Sequence, residues 1–295
     1  MRESTGWPTR SDNATIWVYG SNLLASFLYN RIDIFPMDGV PTVTQDDVDE
    51  LIAFIRNTLD RTGCKGVVIG LSGGLDSAVV TKLCVDALGA DKVLNIFMPS
   101  RVTVSEDYVI TKDLSKLWGT EYRIMDVQPA VDSLQSVLLS QEEAPLDRGN
   151  ISARCRMIVL YNQARKRHYL VMGTSNQSEL MMGYFTKFGD GACDVTPLAN
   201  MYKTQVRELA KLIGVPGEFI IKPPSAGFWA GQTDEEEMRI TYEELDKVLY
   251  GFEQEASDKE ISEFSGVSLE KIQEVRSKVI SEAHKRLPPI RPEQL

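Results

Sequence analysis

The stretch GLSGGLDSAVV, Gly70 to Val80, holds the residues best suited to chemistry in this 295-residue chain. Gly73 and Gly74 let the backbone take positive φ and close around a ligand. Ser72 and Ser77 bring hydroxyl donors. The apolar run GVVIGLS before the loop reads as a strand. SAVVTKLCVDALG after it reads as a helix, stopped by Gly89, whose free N–H groups and positive dipole end face the loop. Together these features make an anion cradle, and phosphate or pyrophosphate is its natural occupant. The loop has neither the GK[ST] ending of a Walker A motif nor the G-x-G-x-x-G dinucleotide pattern. What it adds is Asp76. A carboxylate repels a polyphosphate unless a divalent cation lies between them, so Asp76 reads as a magnesium ligand.

The elements that must position this loop alternate in type. TQDDVDELIAFIRNTLDRTG spaces Val48, Leu51, Ile52, Ile55 and Leu59 at helical intervals, with Thr44 as N-cap. KVLNIFMPS, EYRIMDV and HYLVMGTS are further strands. EDYVITKDLSKLWG, PAVDSLQSVLLS, NISARCRMIVLYNQARKR and the short NQSELMMGYF are helices. Such alternation predicts an α/β fold, a doubly wound parallel sheet with helices on both faces. Ligands of such sheets sit beyond the carboxyl ends of the strands. After Gly183, TKFGDGACDVTPLANMYKT and KPPSAGFWAGQTDEEEM read as long polar loops, with Asp234 to Glu237 as a solvated charge run. TYEELDKVLYGF, DKEISEFSG and SLEKIQEVRSKVISEAHKRL read as C-terminal helices, with Thr241 and Ser268 as caps. The chain thus divides into an N-terminal extension of unknown role (1–42), a main domain (43–287) and a tail (288–295).

Composition narrows the function classes. A net charge of −10 argues against a broad nucleic-acid surface. Cys64, Cys84, Cys155 and Cys193 form no C-x-x-C pair and read as reduced cytoplasmic thiols. With only two histidines, carboxylates, lysines and backbone must carry the chemistry. Ala14 to Asn30 is the most apolar stretch, interrupted by Gly20, Ser21 and Asn22; it reads as an element packed on the body or on a partner, and no membrane span is expected.

SGGLDS resembles the SGGxDS pyrophosphate loop of the ATP pyrophosphatase superfamily, whose members cleave ATP between the α and β phosphates and adenylate a carboxylate or carbonyl oxygen. A second block, GTSNQSELMMGYFTKFGDGACDVTPLANMYK from Gly173 to Lys203, is similar to the NAD synthetase stretch after the fourth strand. GNISARCRM (Gly149 to Met157) and KPPSAGFWAGQTDEEEMRITYEELD (Lys222 to Asp246) match as well, so the resemblance covers about Val43 to Leu287. It implies a Rossmann-like, adenine nucleotide alpha hydrolase-like fold, ATP as co-substrate and Mg2+ as cofactor.

The implied reaction converts the nicotinate carboxylate of deamido-NAD to a mixed anhydride with AMP, releasing pyrophosphate; ammonia then displaces AMP. The implied ATP and pyrophosphate site is Gly70, Leu71, Ser72, Gly73, Gly74, Leu75, Asp76, Ser77, Thr174, Lys203 and Ser225. Asp76 and Glu179 would hold the metal. Lys187 and Lys203 would meet charge near the phosphates and the activated carboxyl group. Asp190 would collect ammonium and accept a proton, although alone it also reads as the cap of a turn between Gly189 and Gly191. Asn150, Arg154, Tyr184, Lys187, Asp190 and Asp194 would bind the dinucleotide.

Two positions depart from the bacterial pattern: Leu146 replaces a frequent phenylalanine, and SAGFW replaces TADL. The family also implies a homodimer with the dinucleotide site at the subunit boundary. The residues before the synthetase region hold no cysteine and are too few for a glutaminase domain, so free ammonia is expected, with a separate glutaminase subunit as an alternative. A GMP synthetase-like amidoligase is the competing enzyme reading, and TKFGDG argues against it. An inactive nucleotide-binding subunit is the non-enzymatic alternative.

Overall fold

Four short apolar runs form one parallel sheet: β1 (Gly66–Gly70), β2 (Val93–Phe97), β3 (Glu121–Ile124) and β4 (Tyr169–Met172), in the order β3-β2-β1-β4. Val67 lies beside Val93 on one side and Leu170 on the other, and Leu94 pairs with Glu121. The computed structural model describes residues 39–138, 144–229, 231–289 and 292; the Ala14 to Asn30 stretch lies outside them.

Side chains alternate across the sheet, as the two-residue strand period requires. Val67 and Ile69 face α1 (Gln45–Thr62), α2 (Leu75–Leu88) and α7 (Lys203–Leu212), packing among Ile55, Val79 and Leu209. Val68, Leu94 and Ile96 face α4 (Gln128–Leu138) and α5 (Pro145–Arg167), with Val131, Cys155 and Ala164. Helices therefore cover both faces, as the alternating pattern predicts. Thr44 caps α1 through a reciprocal pair with Asp47, and Gly63 ends it in the left-handed region at φ 67°.

The C-terminal helices build a third core. α10 (Tyr242–Glu253), α11 (Asp258–Ser265) and α12 (Leu269–Ser281) pack Leu245, Leu249, Ile261, Ile272 and Val275 around Tyr242. Each fully buried leucine there contributes about 1.5–3 kcal/mol. Met182, at the end of α6 (Gln177–Met182), and Tyr202, which precedes α7, join this cluster. The C-terminal core therefore anchors two elements that leave the sheet.

Three expectations shift. The helix predicted from Asn150 begins at Pro145, a residue suited to the first helical position. The helix predicted through residue 287 breaks at Glu282 into α12 and a short α13 (Ala283–Arg286). The helix expected from EDYVITKDLSKLWG is α3 (Ser105–Trp118), α8 (Gly217–Ile221) is a short further helix, and the segment read as loop, Lys222 to Met238, ends in α9 (Asp234–Met238). Thr233 caps α9, and its acidic first turn suits the helix dipole.

Candidate active site

β1 and β4 are neighbours at the point where the strand order reverses, so their carboxyl ends open onto one crevice. A cavity of about 750 Å³ lies there, lined by both post-strand turns, Gly70–Ser72 and Gly173–Ser175.

The glycine loop forms one wall. Gly73 takes φ 84°, and a Cβ there would lie 2.7 Å from Asp107 Oδ1. Ser77 is buried; its hydroxyl accepts the Ser72 N–H at 3.2 Å and donates to the Gly74 carbonyl at 2.9 Å. Ser77 thus shapes the loop, while Ser72 remains exposed on the cavity. Leu71 and Leu75 bury their side chains, so only their backbone is available to a ligand. No side chain caps the N-terminus of α2.

Asp76, on the first turn of α2, meets residues from two other elements. Lys203 Nζ donates to Asp76 Oδ2 and lies 3.4 Å from Glu179 Oε1. Asn176 Nδ2 donates to Asp76 Oδ1 at 3.0 Å. Asn176 and Glu179 also cap the start of α6 reciprocally, which fixes Glu179 as well as the helix end. Burial, then the charge of Asp76, pushes the Glu179 carboxyl up to about 8 against the pull of Lys203. Burial works against the Lys203 ammonium, but Asp76 and Glu179 outweigh it and hold its proton more tightly than in an ordinary lysine.

Asp190 lines the same cavity. Its Oδ1 accepts the Thr186 N–H at 2.9 Å, while Gly189 and Gly191 donate to the Thr186 carbonyl. A carboxylate has two oxygens, so capping this turn leaves acceptor capacity toward the cavity. Asp190 is solvent-accessible, yet the mass of protein around it raises its carboxyl above the usual range, opposed by the Thr186 N–H and by Arg156. The Thr186 hydroxyl donates to Asn150 at 2.8 Å, joining α5 to the turn.

Thr174, Tyr184 and Ser225 also line the cavity. Tyr184 donates to Glu237 at 2.7 Å, and Ser225 accepts the Gly227 N–H at 3.1 Å. Arg154, Lys187 and Asp194 lie outside the cavity lining. Arg154 is exposed and donates to the Lys187 carbonyl at 3.4 Å, so it does not share a pocket with Asn150. The Lys187 ammonium is held by the His284 carbonyl at 2.7 Å. Asp194 accepts the Val171 N–H at 2.8 Å and the Tyr161 hydroxyl at 3.3 Å.

Residues 47–289 match the family model described as NAD synthase. The chain belongs to the NAD synthase family. It is 43% identical to the NH(3)-dependent NAD(+) synthetase of Methanocaldococcus jannaschii, over 84% of this chain and 97% of that one. Its fold resembles the NMN synthetase of Francisella tularensis, with TM-score 0.76 and 34% identity over 85% of this chain and 99% of that one. It also resembles the NH3-dependent NAD synthetase of Campylobacter jejuni, with TM-score 0.71 and 29% identity over 84% and 98% of the two chains.

Several residues of the cavity escape sequence reasoning. Lys222 reaches the glycine loop, with Nζ 3.1 Å from the Gly73 carbonyl and paired with Asp107. A lone lysine directly before Pro223 and Pro224 was its only signal. Arg156 lines the cavity and is oriented by the Met98 carbonyl at 3.1 Å and the Ser100 hydroxyl at 3.3 Å. Asp234 corrects the expectation of a solvated charge run: it is buried, and the Tyr242 hydroxyl donates to its Oδ2 at 3.1 Å. Its backbone N–H also donates to the Pro224 carbonyl, which draws this end of the segment inward.

Proposed function

We propose that the chain is an ammonia-dependent NAD synthetase acting on deamido-NAD. The observation that carries this reading is one cavity with two kinds of wall. The glycine loop and the Asp76–Lys203–Glu179 cluster suit a polyphosphate, and the Asp190 turn suits a nucleophile that must lose a proton.

The nicotinate carboxylate attacks the α phosphorus of ATP, the bond to the β phosphate breaks, and pyrophosphate leaves. Backbone N–H groups at the start of α2, with Lys203 and Lys222, meet the charge that develops on it. Ammonia then attacks the acyl carbon, the bond to AMP breaks, and the amide nitrogen loses a proton. Asp190 receives that proton or orients the incoming nitrogen. Asn150 and Tyr184 hold the dinucleotide.

The donor set suits one magnesium ion. Asp76 and Glu179 face a single lysine, and Asp234 Oδ1 is buried without a hydrogen-bond partner among the described residues, so carboxyl oxygens outnumber the local cations. Among the described residues no group of three or more His, Cys, Asp or Glu is close enough to hold a metal. Magnesium is commonly bound through one or two carboxylates plus substrate phosphates. When bound at Asp76 and Glu179 it supplies charge neutralisation at the polyphosphate.

A homodimer is supported by apolar side chains on α4 and α5. Val137 is 75% exposed and Ile158 60%, which a monomer would leave in water. Arg154 and Lys187 lie outside the cavity lining of one chain, where they would border a boundary between subunits. A cytoplasmic location is supported by four free cysteines, and among the described residues no helix is long and apolar enough to cross a membrane.

The likeness to an NMN synthetase brings a second substrate reading, nicotinate mononucleotide. Initial rates with ATP, magnesium and ammonium, and with each nicotinate nucleotide in turn, separate the two. A higher kcat/KM for deamido-NAD is expected; a preference for the mononucleotide moves the assignment.

A further inference from the structure

A carboxylate outside the cavity lining joins two of the elements that furnish its charges. Asp246, on α10, is fully buried. Its Oδ1 accepts the Ser178 hydroxyl, and its Oδ2 accepts the Thr204 N–H at 2.8 Å. The Ser178 hydroxyl oxygen in turn accepts the Lys203 N–H at 2.9 Å. Ser178 directly precedes Glu179 on α6, and Lys203 and Thr204 open α7. The first two N–H groups of α7 therefore end on one carboxylate, one directly and one through a hydroxyl. Negative charge at that helix end is favourable, and burial leaves no water to substitute for it.

We propose that Asp246 is a positioning residue of the ligase reaction: through Ser178 and Thr204 it fixes the separation of Glu179 and Lys203. This inference rests on the NAD synthetase reading. The geometry requires a carboxylate. Ser178 and Thr204 are both donors, so the residue between them must accept twice, and an amide of the same size offers one acceptor and one misplaced donor. Ser178 must likewise keep a hydroxyl, because it donates to Asp246 while accepting from Lys203.

The test compares full-length Asp246→Asn, Ser178→Ala, Ser178→Thr and the Asp246→Asn/Ser178→Ala double variant, each normalised to folded protein. Asp246→Asn and Ser178→Ala are expected to lower kcat about tenfold or more, as for a small displacement of catalytic groups. ATP–pyrophosphate exchange should fall by the same factor, with the KM for deamido-NAD unchanged. Ser178→Thr should recover most of the loss, and the double variant should be no worse than the poorer single one. A lowered melting temperature with wild-type kcat per folded molecule would overturn the proposal, as would a change confined to the KM for deamido-NAD. If Asp246→Asn does not fold, the two Ser178 variants carry the same test. Wild-type protein that forms no NAD contradicts the underlying reading instead.

Discussion

Lys203 and Asp76, 127 positions apart, meet as an ion pair on the cavity wall, with the lysine side chain 4% exposed and the carboxylate 15%. Glu179 lies on the same ammonium. Lys203→Met keeps the length of the side chain and removes its charge, leaving the Asp76 carboxylate without its partner. Breaking a buried pair from one side costs about 3–5 kcal/mol, so urea unfolding should show a loss of that order. NAD formation should fall at least a hundredfold, roughly the effect of removing one transition-state donor. Unchanged stability would mean that the pair carries no net charge interaction.

Glu179 should tilt the dependence of stability on pH. Its folded pKa is raised, so the folded state binds more protons than the unfolded one between the ordinary carboxylate range and about 8. In metal-free buffer its contribution to stability is full at low pH and is lost as pH rises through that window. Asp190 and Asp234, also raised, act in the same direction. Thermal melts across this range should slope downward with pH. Glu179→Gln should flatten the slope, and magnesium should stabilise most at the alkaline end. A Gln variant with the wild-type slope contradicts the assignment.

Asp190 should set the acidic limb of the rate profile. As a proton acceptor it must be ionised, and its surroundings raise its pKa, so the limb should lie above the usual carboxylate range. Asp190→Asn should lose about a hundredfold or more in kcat/KM for ammonium and should lose that limb. ATP–pyrophosphate exchange should survive, because adenylation precedes the arrival of ammonia. Equal loss of both half-reactions would reduce Asp190 to the cap of the Thr186 turn.

Ile158→Asp should separate subunits if α5 forms part of the boundary. Sedimentation should show monomer in place of dimer, with the circular dichroism spectrum of a folded chain and weakened binding of deamido-NAD. Wild-type protein that sediments as a fully active monomer removes the dimer from the account.

The glycine loop was legible because its signals are local. A strand, a positive-φ turn and a helix N-terminus lie within a few residues; Gly73 adopts the positive φ its type permits, whereas Gly74 is extended at φ −91° as the residue before α2. The four strands and most helices were legible for the same reason. Asn150 and Arg154, four apart on one face of α5, both meet the turn after α6, at Thr186 and at the Lys187 carbonyl, but only Asn150 lines the cavity. Asn150 reaches Thr186 while Arg154 stays exposed. Asn176, Lys222 and Asp246 could not be found locally, because their partners Asp76, Asp107 and Thr204 are 100, 115 and 42 positions away. Asp234 was hidden by composition; four acidic residues in a row read as a solvated face until Tyr242 and Pro224 close over the first of them.

The most direct test of the central claim is a product balance. Purified protein is given ATP, magnesium, ammonium and deamido-NAD, and NAD, AMP and pyrophosphate are followed together. Equal amounts of all three are expected. ADP and phosphate in place of AMP and pyrophosphate, or no ATP cleavage at all, would contradict the account.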